Sequence, residues 1–266
     1  IGARLLVEKF MEYNIPFRMK DLLPNIYERW IARDLLSYME IGEGSRDRGL
    51  FLRIINRPKR YVSRDAFDSP QADLEQLKSF YQDRGWMLDR LDQLEYDLAM
   101  LKGMAPVAAV NYIRKAIGYD DYLKEYAETR RLKADELMEI ADQLAESAAG
   151  YKTLEAWKIH MAEYKEQLAQ KSQEAREASD YEAESVAIMT MHGAKGLEFP
   201  VVYIPDANEG VAPHNKAALD ADMEEERRMF YVAMTRAKDR LHVYYTKERY
   251  HKRQEVSRFV REYMGR

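Results

Sequence analysis

The 266-residue chain contains no cysteine, which excludes disulfides, thiolate metal sites and a cysteine nucleophile. That absence fits a reducing compartment. No apolar run approaches the roughly 20 residues that a membrane-spanning helix needs, so a helical membrane protein is excluded. No Gly-Lys dipeptide occurs anywhere. A P-loop, G-x-x-x-x-G-K-[ST], is therefore missing, and with it the backbone cradle that such a loop offers to phosphates. Proline is sparse through the middle, where only Pro70 and Pro106 fall between residues 65 and 184. No secretory leader opens the chain and its first residue is not methionine, so a piece of something longer is expected.

What is present is unevenly charged. Residues 1–64 hold 13 Lys and Arg against 8 Asp and Glu, residues 65–184 hold 15 against 26, and residues 185–266 hold 14 against 12. A polyanion would meet the two ends rather than the acidic middle. Solvated faces with a chance imbalance would give the same count.

Residues 3–13 carry apolar side chains at helical spacing, Asn14 stops that helix, and Ile15–Met19 reads as a short strand. Residues 25–41 are helical again and end at Gly42. A further helix through Leu50–Ile55 stops at Arg57-Pro58, because a residue before proline is pushed out of the α region. From about 70 to 178 helical stripes recur, as in Leu88/Leu91/Leu94/Leu98/Leu101 and Val107/Val110/Ile113/Ile117, which predicts a helical bundle core. Residues 171–184 read as a linker or a helix extension. The last 80 residues switch period. Ser185–Met191 and Phe199–Ile204 predict strands of buried type, residues 222–237 a helix with Ala237 on its inner face, Leu241–Tyr245 a strand, and 254–263 a closing helix. This alternation is α/β grammar. The expected architecture is an α/β lobe built from 1–64 and 185–266, interrupted by an all-helical insertion over 65–184.

Polar chemistry is densest at TMHGAKGLEF, residues 190–199, directly after a predicted strand. In open α/β sheets ligands collect beyond the carboxyl ends of strands. Gly193 and Gly196 permit positive φ or close backbone approach. By spacing alone the segment equally suits a plain strand connection with a buried Lys195–Glu198 pair. The second cluster is EEERRMFYVAMTRAK, residues 224–238. Arg227 and Arg228 can pair with the preceding glutamates. Arg236 lies near the helix end, where a cation can project past the lobe's edge toward phosphoryl charge.

TMHGAKGLEFPVVYI followed by EEERRMFYVAMTRAKDRL resembles motifs V and VI of the UvrD/Rep family of superfamily-one DNA helicases. ARLLVEKFMEYNIPFRM, LLSYMEI and FLRIINRPKR resemble the same family's second RecA-like lobe ahead of its inserted domain. The likeness is strong over 1–60 and 185–262, and across the helical middle it rests on position and helicity. It implies that Glu198 contacts the nucleotide's ribose, that Arg236 reaches the γ-phosphate across a cleft, and that Gly196 belongs to the nucleotide side of the loop. Thr190, His192 and Lys195 are implied to face single-stranded DNA. Asn208–Pro213 matches a loop near the DNA path, but Ala212 stands where the family usually has a large side chain. Many relatives carry a Gly-Ile-Gly element on duplex DNA after Pro58, where this chain reads KRYVSR (Lys59–Arg64), so that contact is not carried over.

The resemblance implies the C-terminal part of an ATP-dependent, 3′→5′ DNA helicase of repair or replication. ATP and Mg²⁺ would be held mainly by an N-terminal RecA-like lobe of the same parent, and no metal site is expected in this chain. Implied partners are single-stranded DNA and single/double-strand junctions, with no membrane, in the cytoplasm at the nucleoid. The piece alone is expected to be inactive. A helicase subunit of a recombination-repair helicase–nuclease, or a non-catalytic DNA- or partner-binding adaptor, would share the same motifs.

Overall fold

A computed structural model of the chain describes residues 3–19, 25–177, 185–214, 217, 219–249 and 252–265. The chain divides into two compact units, one of residues 25–163 and one of residues 1–24 with 164–266. The boundaries expected at 64 and 184 do not coincide with this division, because residues 25–64 pack with the helices that follow them.

The first unit is helical. A 3-10 turn at Ile26–Glu28 leads into α2 (Trp30–Gly42), after α1 (Ala3–Glu12) in the other unit, and then α3 (Arg48–Ile54), α4 (Leu74–Phe80) and α5 (Gly85–Leu101). They are followed by α6 (Pro106–Lys115), α7 (Tyr119–Arg130), α8 (Ala134–Ala148) and the start of α9 (Leu154–Glu177). The predicted stripes become the core: Leu91, Leu94, Leu98, Leu101, Val110 and Ile113 are all buried. Phe80 and Leu132, which fall on the helical stripes Leu74/Leu77/Phe80/Tyr81 and Leu132/Leu137/Ile140/Leu144, are exposed. Helices α2 and α5 approach closely at Gly42, where an added Cβ would stand 2.8 Å from the Leu101 Cβ.

A buried carboxylate ties residues 30–60 into this unit. Asp34 on α2 is fully buried and accepts two 2.8 Å bonds from the Arg57 Nη1 and one of 2.7 Å from the Tyr119 hydroxyl on α7. Burial pushes its carboxyl up, against the bonds and charge of Arg57 and the Tyr119 hydroxyl. Arg57 also lies over the Trp30 ring, and the Tyr38 hydroxyl donates to the Arg57 carbonyl at 2.7 Å. One residue after Lys59, Arg60 turns inward and satisfies the carbonyls of Ile54, Ile55 and Pro58. Buried polar groups of this kind are costly unless every partner is in place.

The second unit is mixed α/β. Besides α1 it holds β1 (Phe17–Met19), β2 (Val186–Ile188), β3 (Phe199–Ile204), α10 (Asp220–Met234), β4 (Ala237–Val243), β5 (Glu248–Arg249), β6 (Lys252–Arg253) and α11 (Arg258–Tyr263). Strands β1 and β2 pair in parallel with Phe17 opposite Val186, and β3 and β4 pair in parallel with Val202 opposite Leu241. β5 and β6 form a short antiparallel ribbon. A core of Ile204, Ala207, Ala212, Phe230, Ala233 and Phe259 is flanked by Val202, Leu241 and Val243.

Several expected boundaries move. The helix ends at Met234, so Ala237 is the first residue of β4 and not an inward helical position. The Ser185–Met191 run keeps only three strand residues, and the closing helix starts at Arg258, capped by the Ser257 hydroxyl. β3 was read as buried, yet only its Val202/Ile204 face meets α10. Tyr203 on the other face is 60% exposed and stacks on His242 at 4.8 Å. Of the linker or helix extension expected at 171–184, residues 171–177 continue α9, and residues 178–184 lie outside the described residues. Among the described residues, no helix is long and apolar enough to cross a membrane.

Replacing Asp34 by Ala leaves the Tyr119 hydroxyl and half-buried Arg57 without their acceptor. It is expected to cost about 2–4 kcal/mol in denaturant unfolding. A loss below about 1 kcal/mol would show that the pair is incidental to the fold.

Candidate functional site

The loop from Met189 to Glu198 joins the carboxyl end of β2 to the amino end of β3 by overlapping turns. The Ala194 N–H donates to the Thr190 carbonyl at 3.1 Å, Lys195 N–H to the His192 carbonyl at 3.1 Å, and Leu197 N–H to the Ala194 carbonyl at 3.1 Å. The Thr190 hydroxyl accepts from the Gly193 N–H at 3.1 Å, so this side chain shapes the loop itself. Gly196 has φ +81°, a conformation that other residues adopt only under strain. With Ala194 buried as the anchor, Thr190, His192, Lys195, Gly196 and Glu198 are all exposed. Five of the six expected site residues therefore lie along one exposed turn of chain.

The sixth, Arg236, is bound to the end of that loop. The Phe199 N–H donates to the Arg236 carbonyl at 2.9 Å, where β3 and β4 begin side by side. The Arg236 Nη1 donates to the Leu197 carbonyl at 3.2 Å and its Nε to the Val232 carbonyl at 3.0 Å. Its Nη2 donates to the Thr235 hydroxyl at 3.1 Å. Arg236 was expected to project past the edge, and instead it folds back over the end of α10. The reason is local. A helix leaves its last carbonyls unsatisfied, and a guanidinium next to them supplies donors and a favourable charge. Three of the five guanidinium N–H groups are used, leaving two for another acceptor.

Glu198 pairs with Lys238 on β4 at 3.2 Å, with both side chains more than half exposed. The alternative Lys195–Glu198 pair is not formed. An exposed pair of this kind contributes about 0–1 kcal/mol, so the carboxylate is easily released to another partner. The helix expected over 222–237 would leave Lys238 at its end, but α10 stops at Met234 and Lys238 lies in β4. Parallel pairing of β3 with β4, with Phe199 opposite Ala237, brings it beside Glu198. Loop residues thus sit beyond the carboxyl end of β2, whereas Glu198, Arg236 and Lys238 sit at the amino ends of β3 and β4.

The expected ion pairs at the start of α10 are present, Arg227 with Glu224 and Arg228 with Glu225. Arg227 also reaches Glu262 at 2.9 Å and lies over the Phe259 ring, which fastens α10 to α11.

Asn208–Pro213 is a rigid node. The buried Asn208 amide donates to the Thr246 carbonyl at 2.7 Å and the Glu255 carbonyl at 3.0 Å, while its Oδ1 accepts from the Thr246 N–H at 3.0 Å. The Ser257 hydroxyl donates to the Ala212 carbonyl, and Ala212 is 2% exposed within the core. Ala212 therefore offers no surface to a ligand. Asn208 and Ser257 were missed as anchors, although Ser257 before Arg-Phe-Val carries a cap signature. Among the described residues, no group of three or more acidic or histidine side chains could hold a metal ion.

Glu209 in this node pairs with Arg258 at 2.9 Å. Partial burial would raise its carboxyl, but the side-chain and backbone bonds from Arg258 and its charge hold it below the ordinary value of 4.5. Its contribution to stability is therefore present above that value and is lost as pH falls through the depressed one. Thermal melts of the wild type and Glu209→Gln are expected to differ at neutral pH and converge in acid. A difference that stays constant with pH would exclude this carboxylate as the source.

A family model for the UvrD-like helicase C-terminal domain matches residues 2–248. The chain is 30% identical to the ATP-dependent DNA helicase PcrA of Staphylococcus epidermidis over 265 residues, covering 91% of the chain and 35% of that protein. It is 28% identical to the ATP-dependent DNA helicase Rep of Salmonella typhimurium, covering 91% of the chain and 38% of that protein. Rep of Escherichia coli is 27% identical over the same 91% of the chain and 38% of its own length. The chain spans about a third of the length of these curated relatives. With the domain model matching nearly end to end, the chain belongs to the UvrD-like helicase C-terminal domain family.

Proposed function

We propose that this chain acts as the second RecA-like lobe, with its inserted helical domain, of an ATP-dependent DNA helicase that translocates 3′→5′ in repair or replication. The observation that carries this reading is the junction of the 190–198 loop with Arg236 through Leu197 and Phe199. It lets a change felt at the arginine pass through two main-chain contacts to Thr190, His192 and Lys195.

In this reading Arg236 is the catalytic residue of the lobe, and Glu198 and Gly196 share its nucleotide side. The donor set fits the role. A guanidinium with two spare N–H groups suits phosphoryl oxygens, and a weakly paired carboxylate suits ribose hydroxyls. Mg²⁺ and most phosphate contacts are assigned in this reading to an N-terminal RecA-like lobe of the same parent. ATP bound there supplies the free energy of hydrolysis. This chain's residues then do three things. Arg236 exchanges its own carbonyl partners for developing phosphoryl charge, Glu198 orients the nucleotide, and the exposed face of the 190–195 turn holds single-stranded DNA. Single/double-strand junctions are the structures such a motor meets, in the cytoplasm at the nucleoid. The division into a lobe of 1–64 with 185–266 and an insertion of 65–184 belongs to the same proposal as an assignment of family segments, distinct from the packing units, in which residues 25–64 go with the helices that follow.

ATP hydrolysis with and without single-stranded DNA tests it. This chain alone is expected to be inactive, and the full-length parent active. Arg236→Ala in the parent should lower the DNA-stimulated rate by on the order of 10³–10⁵, the range for a charge-stabilising arginine at a phosphoryl-transfer site. A melting temperature for the variant within a few degrees of the parent's separates chemistry from folding. Retention of the full stimulated rate would overturn the assignment.

A further inference from the structure

We propose that the helical unit carries a second nucleic-acid contact, a stacking site for an unpaired nucleobase built from Tyr61, Trp86 and Arg90. The proposal rests on the reading that the parent acts on DNA, but its residues lie outside those assigned above. The Arg90 guanidinium stands between two exposed rings, 5.1 Å from the Tyr61 centroid and 4.9 Å from that of Trp86. Tyr61 is 65% and Trp86 51% exposed, so neither ring is placed there to fill a core.

The segment bearing Tyr61 is rigid. Asn56 brackets it, accepting from the Val62 N–H at 3.0 Å and donating to the Val62 carbonyl at 2.8 Å. The Tyr81 hydroxyl accepts from the Ser63 N–H at 2.7 Å, and Arg90 donates to the Arg60 carbonyl at 3.4 Å. These contacts hold Tyr61 at φ +64°, a region in which a bulky aromatic is strained. Strain kept at an exposed aromatic marks a position shaped for contact rather than for packing.

Charge complementarity selects the occupant. Arg64, Arg84 and Arg90 have no carboxylate partner among the described residues, and Arg84 lies over the Tyr81 ring beside them. Exposed Asp65, Asp83 and Asp89 nearby keep the patch from being uniformly basic. That mixture suits a ligand held mainly through its ring face, with a few phosphate contacts, rather than a long run of phosphates. Bases stack on aromatic faces and on guanidinium planes, and cation–π attraction reinforces such a cluster. The faces of paired bases within a duplex are covered, so the ligand is an unpaired base.

Tryptophan fluorescence of the 266-residue chain, titrated with a short thymidine oligonucleotide, tests this. An abasic oligonucleotide of equal length and a blunt duplex are titrated alongside. The thymidine strand is expected to quench emission, and Trp86→Phe, which keeps Trp30 and Trp157, to abolish the quench. Tyr61→Ala and Arg90→Ala should each weaken binding on the order of tenfold with an unchanged melting profile, and the abasic strand should bind weaker by a similar factor. Equal affinity for the abasic strand or for the duplex, or a quench that survives Trp86→Phe, would overturn the site. Absence of any quench by nucleic acid would overturn it too and leave the patch to a protein partner. None of these results depends on Arg236 or on ATP hydrolysis, so this site and the motor reading fail separately.

Discussion

The α/β unit depends on how the last carbonyls of α10 are satisfied. A helix that ends in one step at a parallel strand leaves acceptors pointing at the start of that strand. Arg236 answers this with its whole residue. Its guanidinium takes the Val232 and Leu197 carbonyls, while its own carbonyl receives the Phe199 N–H that starts β3. Strand β3, helix α10 and strand β4 are thereby locked at one point, and the 190–198 loop is anchored to the same point. Arg236, to which the proposal gives the phosphoryl-facing role, is thus also a structural clasp. Under the proposed function, its availability to a nucleotide is a competition between carbonyl oxygens of its own chain and a more highly charged acceptor.

Both units use the same device, a buried polar residue that gathers distant chain segments. In the helical unit Asp34 joins α2 to Arg57 and to Tyr119 on α7. In the α/β unit Asn208 holds the backbone of Thr246 and Glu255, and Ser257 holds Ala212. Such groups specify one arrangement because any other leaves a donor or acceptor unpaired in a low-dielectric interior. They explain why loops without regular structure, such as 56–63 and 205–214, are nonetheless fixed in shape.

Periodicity made much of this legible. The helical stripes Leu88/Leu91/Leu94/Leu98/Leu101 and Val107/Val110/Ile113/Ile117, the stop at Arg57-Pro58, the strand at Phe199–Ile204 and the pairs Arg227–Glu224 and Arg228–Glu225 all follow from local spacing. So did the motif pair that announced the family. What local spacing could not supply was partner choice. Glu198 had Lys195 three residues away in sequence, and its partner is Lys238, forty residues on, because β3 and β4 start side by side. The end of α10 was misplaced for a related reason. Ala237 continues the helical apolar stripe, and only pairing with Phe199 makes it a strand residue.

The amino-acid sequence by itself determined the alternation of elements, the apolar faces, the family and the set of chemically capable residues. Each of these is written in side-chain type and spacing along a few turns of chain. The tertiary structure alone decided that residues 25–64 pack with the helical unit, that Arg236 folds inward, that Ala212 is buried, and that Tyr61 and Trp86 meet across Arg90. Each of these depends on which distant carbonyl, carboxylate or ring is within a few ångströms, and no local pattern encodes that distance.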